Sequence, residues 1–156
     1  MRLLLTLILF TFFSKTIGQE KTLFGKWKTV EVSDSEGNFR VTRNDSIILP
    51  EAWKNRTKVA LQDNRARIRM DYSKNIFIFT AENGFYLYRS ENPRSKIFEG
   101  TFKTQNENEI LFDVKNMANI EVHPTASYYF KDGELYLSMY TQNNNPVNYV
   151  LVRVEN

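Results

Sequence analysis

The sequence predicts an all-β fold, an antiparallel up-and-down β-barrel of about eight strands with one helical insertion after the first strand. Over most of the chain, apolar and polar side chains alternate with the two-residue period of a strand that buries one face. Turn residues such as Asn83-Gly84 and Asp132-Gly133 separate these segments at short intervals, which favours sequential hairpins. Closing such a meander removes its exposed edges. A two-sheet sandwich is the competing architecture, and the nearly sequential hairpins favour the barrel.

The individual strands follow from the alternation and the turns between them. A first strand is expected from Phe24 to Val32, followed by a turn cluster at 33–38 and short extended segments at 39–42 and 46–49. After Asn75 the two-residue period returns. Strands are then predicted at 75–80, 84–90, 96–104, 108–115, 124–131, 133–141 and 146–155.

Between these two groups of strands the period lengthens, which predicts a helix over most of 51–70. Pro50 stands at its start, where proline is well tolerated. The competing interpretation starts a strand at the end of this segment, with Ile68, Met70 and Tyr72 on one face. The side chains that recur at three- and four-residue steps are Trp53, Thr57, Ala60, Leu61, Asn64, Ile68 and Tyr72.

Two hairpins can be given a register. If Asp132-Gly133 is a two-residue turn, one apolar face consists of the pairs Phe130–Leu135, Tyr128–Leu137 and Ala126–Met139, and the other face carries Tyr129–Tyr136 and Ser127–Ser138. If Lys103 pairs with Glu109, the apolar face of the second hairpin consists of Phe102–Ile110, Gly100–Phe112 and Phe98–Val114, and Glu99 lies beside Asp113. Each hairpin has one core face and one wetter face, as a barrel wall requires.

The first residues have the three parts of a secretory signal peptide. Arg2 supplies a positive start, residues 3–13 form an apolar stretch, and Thr16-Ile17-Gly18 ends in small residues before an expected cleavage after Gly18. A retained N-terminal anchor is the alternative. Residues 1–18 are therefore predicted to be a signal peptide and residues 19–156 a barrel domain that is exported, either periplasmic or secreted. No second apolar run follows, so no membrane span is expected after cleavage.

The net charge argues against nucleic-acid binding, and the cysteine content excludes disulfide bonds in this protein. Cleavage would remove Arg2 and Lys15 but none of the 18 acidic residues, so the net charge falls from +3 to +1. No run of Lys and Arg remains to follow a phosphate backbone, and nucleic-acid binding is not expected. The chain has no cysteine, so an exported domain would have to hold by its core without disulfides.

Short motifs resemble those of lipocalins. Gly25-Lys26-Trp27 resembles the Gly-x-Trp motif of the first lipocalin strand, and Arg153 resembles the arginine near the closing strand. With Phe77-x-Phe79 and Asn83-Gly84, the pattern is similar to lipocalin-like (calycin-type) domains of exported bacterial proteins. The resemblance implies that Trp27 packs at the closed end of the barrel with Arg153 across it, a contact worth about 0.5–2 kcal/mol.

The predicted inner face suggests two functions. An exported lipocalin-like protein could bind a small apolar or amphipathic molecule inside the barrel. Alternatively, these side chains fill the barrel, and the chain is a cell-envelope protein-interaction module without a small-molecule ligand. The candidate lining residues are Phe98, Phe102, Phe112, Tyr128, Phe130, Leu137, Met139 and Tyr149.

Enzymatic activity is not expected. Glu99 and Asp113 could form a carboxylate pair, but on an outward face solvent would screen them. His123 is the single histidine, no nucleophile-elbow motif surrounds any serine, and a zinc site would lack thiols and a second imidazole. The sequence therefore predicts no catalytic residue, no metal ligand and no cofactor.

Overall fold

The computed structural model describes residues 22–140 and 145–155 and contains a closed antiparallel barrel. The predicted signal peptide lies outside the described residues. Within them, no helix is long and apolar enough to cross a membrane. The strands are β1 Gly25–Asp34, β2 Arg40–Val41, β3 Ile47–Ile48, β4 Ile76–Phe79, β5 Gly84–Tyr88, β6 Lys96–Asn106, β7 Glu109–Asn116, β8 Glu121–Val122, β9 Thr125–Lys131, β10 Glu134–Tyr140 and β11 Pro146–Arg153; one α-helix, α1, spans Lys58–Ile68.

Eight strands close the barrel, which confirms the predicted fold class. The order around the wall is β1-β4-β5-β6-β7-β9-β10-β11, and β11 pairs with β1 to complete the circle. All these pairings are antiparallel. The short strands β2 and β3 extend the far half of β1 as a hairpin, and β8 pairs with the last part of β7.

Strand β1 contacts three neighbouring strands, and its ladder with β11 contains a bulge. Its first residues pair with β4, from Gly25 opposite Phe79 to Lys28 opposite Ile76. The register against β11 then shifts between Thr29 and Glu31, and the later residues of β1 pair with β2. An extra residue in one strand bends it and increases its twist. The bend lets one long strand close the barrel and also carry the β2–β3 hairpin.

The barrel interior is rich in aromatic rings. Phe79, Phe85, Phe102 and Phe112 contact one another with ring centroids 4.5 to 6.4 Å apart. Exposure along β7 alternates strictly between buried and exposed residues, which is the period that predicted these strands. Each of these four rings is buried, and all four belong to the apolar core of the barrel.

The α-helix of the insertion begins at Lys58, later than the three- and four-residue period predicted. Residues 51–53 form a single 3₁₀ turn after Pro50, and the α-helix starts only after Thr57, whose side chain accepts a hydrogen bond from the Ala60 amide. The last turn widens into a π-helical turn at 69–73. The strand interpretation of this region is therefore wrong. Within α1 only Ile68 is buried, so the helix covers the barrel at its C-terminal end.

The β9–β10 hairpin has the predicted register. Phe130 lies opposite Leu135, and the remaining predicted pairs follow without a shift, through Ala126 opposite Met139. Both residues of the turn have positive φ, 52° at Asp132 and 81° at Gly133. This is the backbone that a tight two-residue hairpin turn requires.

The predicted register of β6–β7 is wrong by two residues. Phe102 lies opposite Phe112, and Lys103 lies opposite Leu111 instead of Glu109. The turn is tighter than expected, with Asn106 opposite Glu109, and a bulge between Thr104 and Asn106 shifts the ladder. A shift of two residues keeps every side chain on its predicted face.

The corrected register also changes the outer face of this hairpin. Glu99 lies opposite Lys115, and Asp113 lies opposite Thr101, so the two carboxylates are not cross-strand partners. The Glu99 side chain forms an ion pair with Lys96. The hypothetical carboxylate pair therefore does not form.

Replacing Gly100 by alanine is expected to destabilise the barrel wall. A Cβ at Gly100 would lie 2.2 Å from the carbonyl oxygen of Asp113 and 2.7 Å from the Cα of Val114, so β6 and β7 would have to separate. We expect Gly100→Ala to lower the free energy of unfolding by about 1–3 kcal/mol in urea denaturation. The exposed neighbour Thr101→Ala, as a control, should stay within about 0.5 kcal/mol of wild type. Equal stability of the two variants would contradict the close approach.

An ion-pair cluster on the outer wall should make stability depend on acid pH. Arg43, which follows β2, donates two hydrogen bonds of 2.7 Å to the Glu134 carboxylate and one of 2.8 Å to Glu31. The two hydrogen bonds from Arg43 to Glu134 hold the pKa of the Glu134 carboxyl below its ordinary value of 4.5. The contribution of the Glu134 carboxylate to the free energy of unfolding is therefore complete above pH 4.5. It is lost as the pH falls through the lower pKa that Glu134 has in the folded state.

The test compares thermal midpoints at neutral pH and at about pH 3. Glu134→Gln should lower the midpoint at neutral pH and should lose less than wild type on acidification. Glu82→Gln, in the exposed β4–β5 turn, serves as the control and should follow the wild-type pH profile. Parallel profiles for wild type and Glu134→Gln would rule out this linkage.

Candidate functional site

The closed end of the barrel is built around Trp27. This residue, 2% exposed, lies directly opposite Arg153 in the β1–β11 ladder. The guanidinium carbon of Arg153 lies 4.8 Å from the centroid of the Trp27 ring, and the indole Nε1 donates a 2.8 Å hydrogen bond to the Leu23 carbonyl. Arg153 also donates a 2.9 Å bond to the Thr22 carbonyl. The predicted meeting of Trp27 and Arg153 is therefore confirmed.

Gly25 is required here by its backbone conformation. Its φ of +131° lies outside the range that residues with a side chain readily adopt, whereas a Cβ there would meet the Arg153 guanidinium at an ordinary contact distance of 3.7 Å. In the Gly-x-Trp segment, Gly25 thus adopts the unusual backbone conformation next to Arg153, and the Trp27 ring packs against the guanidinium. Together, Gly25, Trp27 and Arg153 join the start of β1 to the end of β11.

Most of the predicted lining residues lie in a filled part of the barrel. Phe130 packs on Trp27 with ring centroids 5.9 Å apart, and Tyr128 contacts Phe130 edge to face. Phe102, Phe112 and Leu137 are buried in the same core. These five side chains therefore pack against their neighbours in the core and do not border the cavity described next.

A cavity of about 270 Å³ lies at the opposite end of the barrel, and we call it the mouth cavity. Along the β1–β11 ladder, Val32 opposite Tyr149 and Asp34 opposite Val147 mark this end, away from Trp27. Apolar walls come from Leu87, Ile97, Phe98, Met139 and Val147, and polar groups come from Asp71, Tyr72, Asn75, Arg89 and Tyr149. Of the eight predicted lining residues, Phe98, Met139 and Tyr149 border it.

Asn75 is the buried polar residue of the mouth cavity. It is 1% exposed, and its Oδ1 atom has no hydrogen-bond partner among residues 22–140 and 145–155. The Nε atom of Arg89 is likewise buried and without an acceptor in the described part of the chain. Most buried side-chain polar atoms are hydrogen-bonded, so these two atoms are exceptions among the residues around the mouth cavity.

The backbone holds Asn75 firmly in this position. Its carbonyl accepts two hydrogen bonds of 3.0 Å from Thr29, one from the amide and one from the side-chain hydroxyl. Asn75 comes just before β4 and shares the inward phase of Phe77 and Phe79. Its amide therefore occupies a position that the strand pattern reserves for an apolar side chain.

The two tyrosines of the cavity are uncharged over a wide pH range. Burial raises the pKa of the Tyr149 hydroxyl far above its ordinary value. Burial also raises the pKa of Tyr72, and the neighbouring Asp71 carboxylate adds to that increase. Arg89 lies 3.6 Å from Asp71, so its charge is partly balanced. The polar side of the cavity therefore combines hydroxyl and amide groups with the Asp71 carboxylate, which Arg67 and Arg89 share.

The remaining candidates for chemistry do not form a site. Nδ1 of His123 lies 3.4 Å from an Asp113 carboxylate oxygen, but both side chains are exposed on the outer wall. No group of three or more His, Asp or Glu side chains that could hold a metal ion occurs among the described residues. The mouth cavity, by contrast, brings apolar walls and polar side chains together at one end of the barrel.

Sequence reasoning missed Asn75, Arg89 and Tyr72. A signal for Asn75 was present, because it is a polar residue in phase with the buried Phe77 and Phe79. Arg89 was placed within a predicted strand without a role, and Tyr72 was assigned to the helical face. No local pattern indicates that these three side chains meet, because they come from a helical turn and two strand ends.

No protein-family model matches this chain, and no curated protein is similar to it in sequence. Its function is therefore inferred from the barrel and the mouth cavity.

Removing the cation at the closed end should weaken the barrel. Arg153→Leu removes the cation–π contact with Trp27 and the bond to Thr22, and we expect it to lower the free energy of unfolding by about 1–2 kcal/mol. Urea denaturation measures this change. Arg65→Leu, on the exposed surface of α1, is the matched control and should change stability by less than about 0.5 kcal/mol. If both variants unfold at the wild-type urea concentration, the contact does not stabilise the closure.

Proposed function

We propose that this chain is an exported, lipocalin-like protein that binds a small amphipathic molecule in the mouth cavity. The observation that carries the proposal is the mouth cavity itself, in which the apolar side chains of Phe98, Met139 and Val147 meet polar side chains such as those of Tyr72 and Tyr149. A mostly apolar space with a few polar groups is the usual form of a site for a small molecule.

The shape of the barrel supports a ligand of modest size. The mouth cavity, at about 270 Å³, is just below the range of about 300–1,000 Å³ that is typical of pockets for drug-sized ligands. Phe98, Met139 and Val147 offer an apolar wall to a short hydrocarbon segment. The filled aromatic core beneath limits how deeply such a molecule can enter.

One contact in the structure supports the lipocalin-like part of the proposal, and one feature of the sequence supports the exported part. The contact of Trp27 with Arg153 has the arrangement that the resemblance to lipocalins implied. The N-terminal pattern of Arg2, an apolar stretch and small residues to Gly18 is typical of a secretory signal peptide.

Native mass spectrometry of the protein recovered from the periplasm or medium tests both parts together. We expect a chain that lacks residues 1–18, with an additional small-molecule mass that is lost on unfolding. An intact N-terminus on cell-associated protein would contradict export. A bare mass, together with failure to bind apolar fluorescent dyes, would contradict ligand binding.

Filling the cavity should abolish binding without unfolding the barrel. Val147→Phe places a larger ring in the mouth cavity, and we expect dye affinity to fall at least about tenfold. Val152→Phe is the matched control on the same strand. Its neighbours Leu151 and Arg153 share the inward phase of β11, so Val152 faces outward. Equal dye binding by the two variants would place the site elsewhere.

A second candidate function, protein interaction at the cell envelope, is supported by the outer wall. Tyr129 and Tyr136 stack with ring centroids 4.7 Å apart and an angle of 9° between their planes, and Tyr129 is 54% exposed. Exposed tyrosines are common at protein interfaces because they offer an apolar body and a polar tip. A bare mass in the native spectrum would favour this candidate.

A further inference from the structure

The helical insertion concentrates positive charge on one part of the surface. Residues 51–74 contain seven Lys and Arg residues but three Asp and Glu residues, a net charge of +4. The rest of the exported chain, within residues 19–156, contains 12 basic and 15 acidic residues, a net charge of −3. The small overall charge therefore results from a basic insertion on an acidic barrel. All seven cationic residues are exposed, namely Lys54, Arg56, Lys58, Arg65, Arg67, Arg69 and Lys74.

Nearby ion pairs do not cancel this charge. Arg67 lies 3.8 Å from Asp71, whose carboxylate also lies 3.6 Å from Arg89. Asp45, just before β3, lies 3.2 Å from Arg69. From outside the insertion, Asp45 thus adds one negative charge and Arg89 adds one positive charge. With these two residues included, the excess stays at +4.

The outer side of α1 also carries apolar side chains. The less exposed residues of α1 recur at steps of three and four along one side, up to the buried Ile68. Because an α-helix has about 3.6 residues per turn, Val59, Ala66 and Met70 lie on the opposite side. All three are exposed, Val59 at 67% and Met70 at 59%. We call these three residues the outer strip.

Cationic side chains flank the outer strip on both sides. In helical projection, Lys58, Arg65 and Arg69 follow one side of the strip, and Arg67 lies on the other. The long stems of Lys and Arg lie along an apolar surface while their charged ends stay in a polar layer. An apolar centre with cationic flanks is the pattern of a helix that lies in the head-group region of an anionic membrane.

The outer strip favours a lipid surface over a soluble polyanion. An acidic polysaccharide or a phosphate backbone would contact the cations and leave Val59 and Met70 in water. The surface of a bilayer offers phosphate groups to the cations and an apolar layer to these two side chains. The rest of the chain, with its net charge of −3, would be repelled by the same lipid, so charge selects the face that docks.

We infer that the outer side of α1 docks the exported protein on a bilayer that contains anionic phospholipid. The outer strip enters the head-group region, and Lys58 and Arg65 contact the phosphates. Asp71 and Tyr72 follow α1 and border the mouth cavity, so the docking surface and the cavity are adjacent. The docking goes beyond the proposed ligand binding, and either can hold without the other.

The test measures sedimentation of the exported protein with lipid vesicles. One set contains phosphatidylcholine alone, and the other contains about 30% phosphatidylglycerol as the anionic lipid. In about 0.1 M salt, we expect the anionic vesicles to bind at least about tenfold more tightly, and about 0.5 M salt should remove most of this difference. Equal sedimentation with the two sets, or none with either, would overturn the inference without affecting dye binding in the mouth cavity.

A charge variant tests whether α1 is the docking element. Lys58→Gln with Arg65→Gln removes two flanking cations, and we expect affinity for the anionic vesicles to fall at least about tenfold. The control is Lys103→Gln with Lys131→Gln, which removes the same charge from exposed positions on β6 and β9. The control should bind as wild type does. An equal loss in both double variants would show that net charge alone drives sedimentation, and the assignment to α1 would be wrong.

A second variant removes the apolar contribution and keeps every charge. Val59→Ser with Met70→Ser should lower affinity for the anionic vesicles at least about tenfold. The matched control is Met117→Ser with Ile120→Ser in the β7–β8 turn, where these side chains are 66% and 58% exposed, and it should bind as wild type does.

Dextran sulfate serves as the soluble polyanion in the same experiment. If Val59→Ser with Met70→Ser binds anionic vesicles as wild type does, and dextran sulfate displaces both proteins equally, the surface recognises polyanions and the inferred lipid partner is wrong. Because all the substituted side chains are exposed, the thermal midpoints should stay close to wild type. The comparison of the two vesicle sets needs no substitution and decides the question for the wild-type protein.

Discussion

The pairing of β1 with β11 holds the barrel together. It joins strands from the two ends of the described chain and turns a meander into a barrel without free edges. Trp27 and Arg153 meet where this ladder begins, and the bulge after Thr29 allows the same strand to continue toward β2. Because the chain has no cysteine, noncovalent packing alone holds this closure.

Closure at one end also explains why the cavity lies at the other. Large rings such as Phe79, Phe85 and Phe112 fill the interior above Trp27 and leave little space between them. Toward the mouth, side chains come from strand ends and from the turn after α1, where regular alternation stops. Packing there is less complete, and polar groups reach the interior. This small barrel thus combines a packed core with a cavity at its mouth.

Asn75 breaks the apolar pattern of the residues around it. An apolar residue in its place would continue the row of Phe77 and Phe79. A local choice that conflicts with the pattern around it is most often found at a functional site. The two hydrogen bonds from Thr29 to the Asn75 carbonyl hold the backbone in position, which keeps the side-chain amide at the cavity.

The alternation of side chains predicted the strands and their inward faces, and the Asp132-Gly133 turn predicted the β9–β10 register, because side-chain period and tight turns are local properties. The lipocalin-like motifs also indicated that Trp27 and Arg153 meet. The folded structure was needed to establish the β6–β7 register, which a bulge shifts, and the start of α1 at the Thr57 cap. It also showed that Asn75 and Arg89 border one cavity and that Phe102 and Phe112 are buried in the core. Cavities arise from how distant segments fail to fill space, and no local period encodes that.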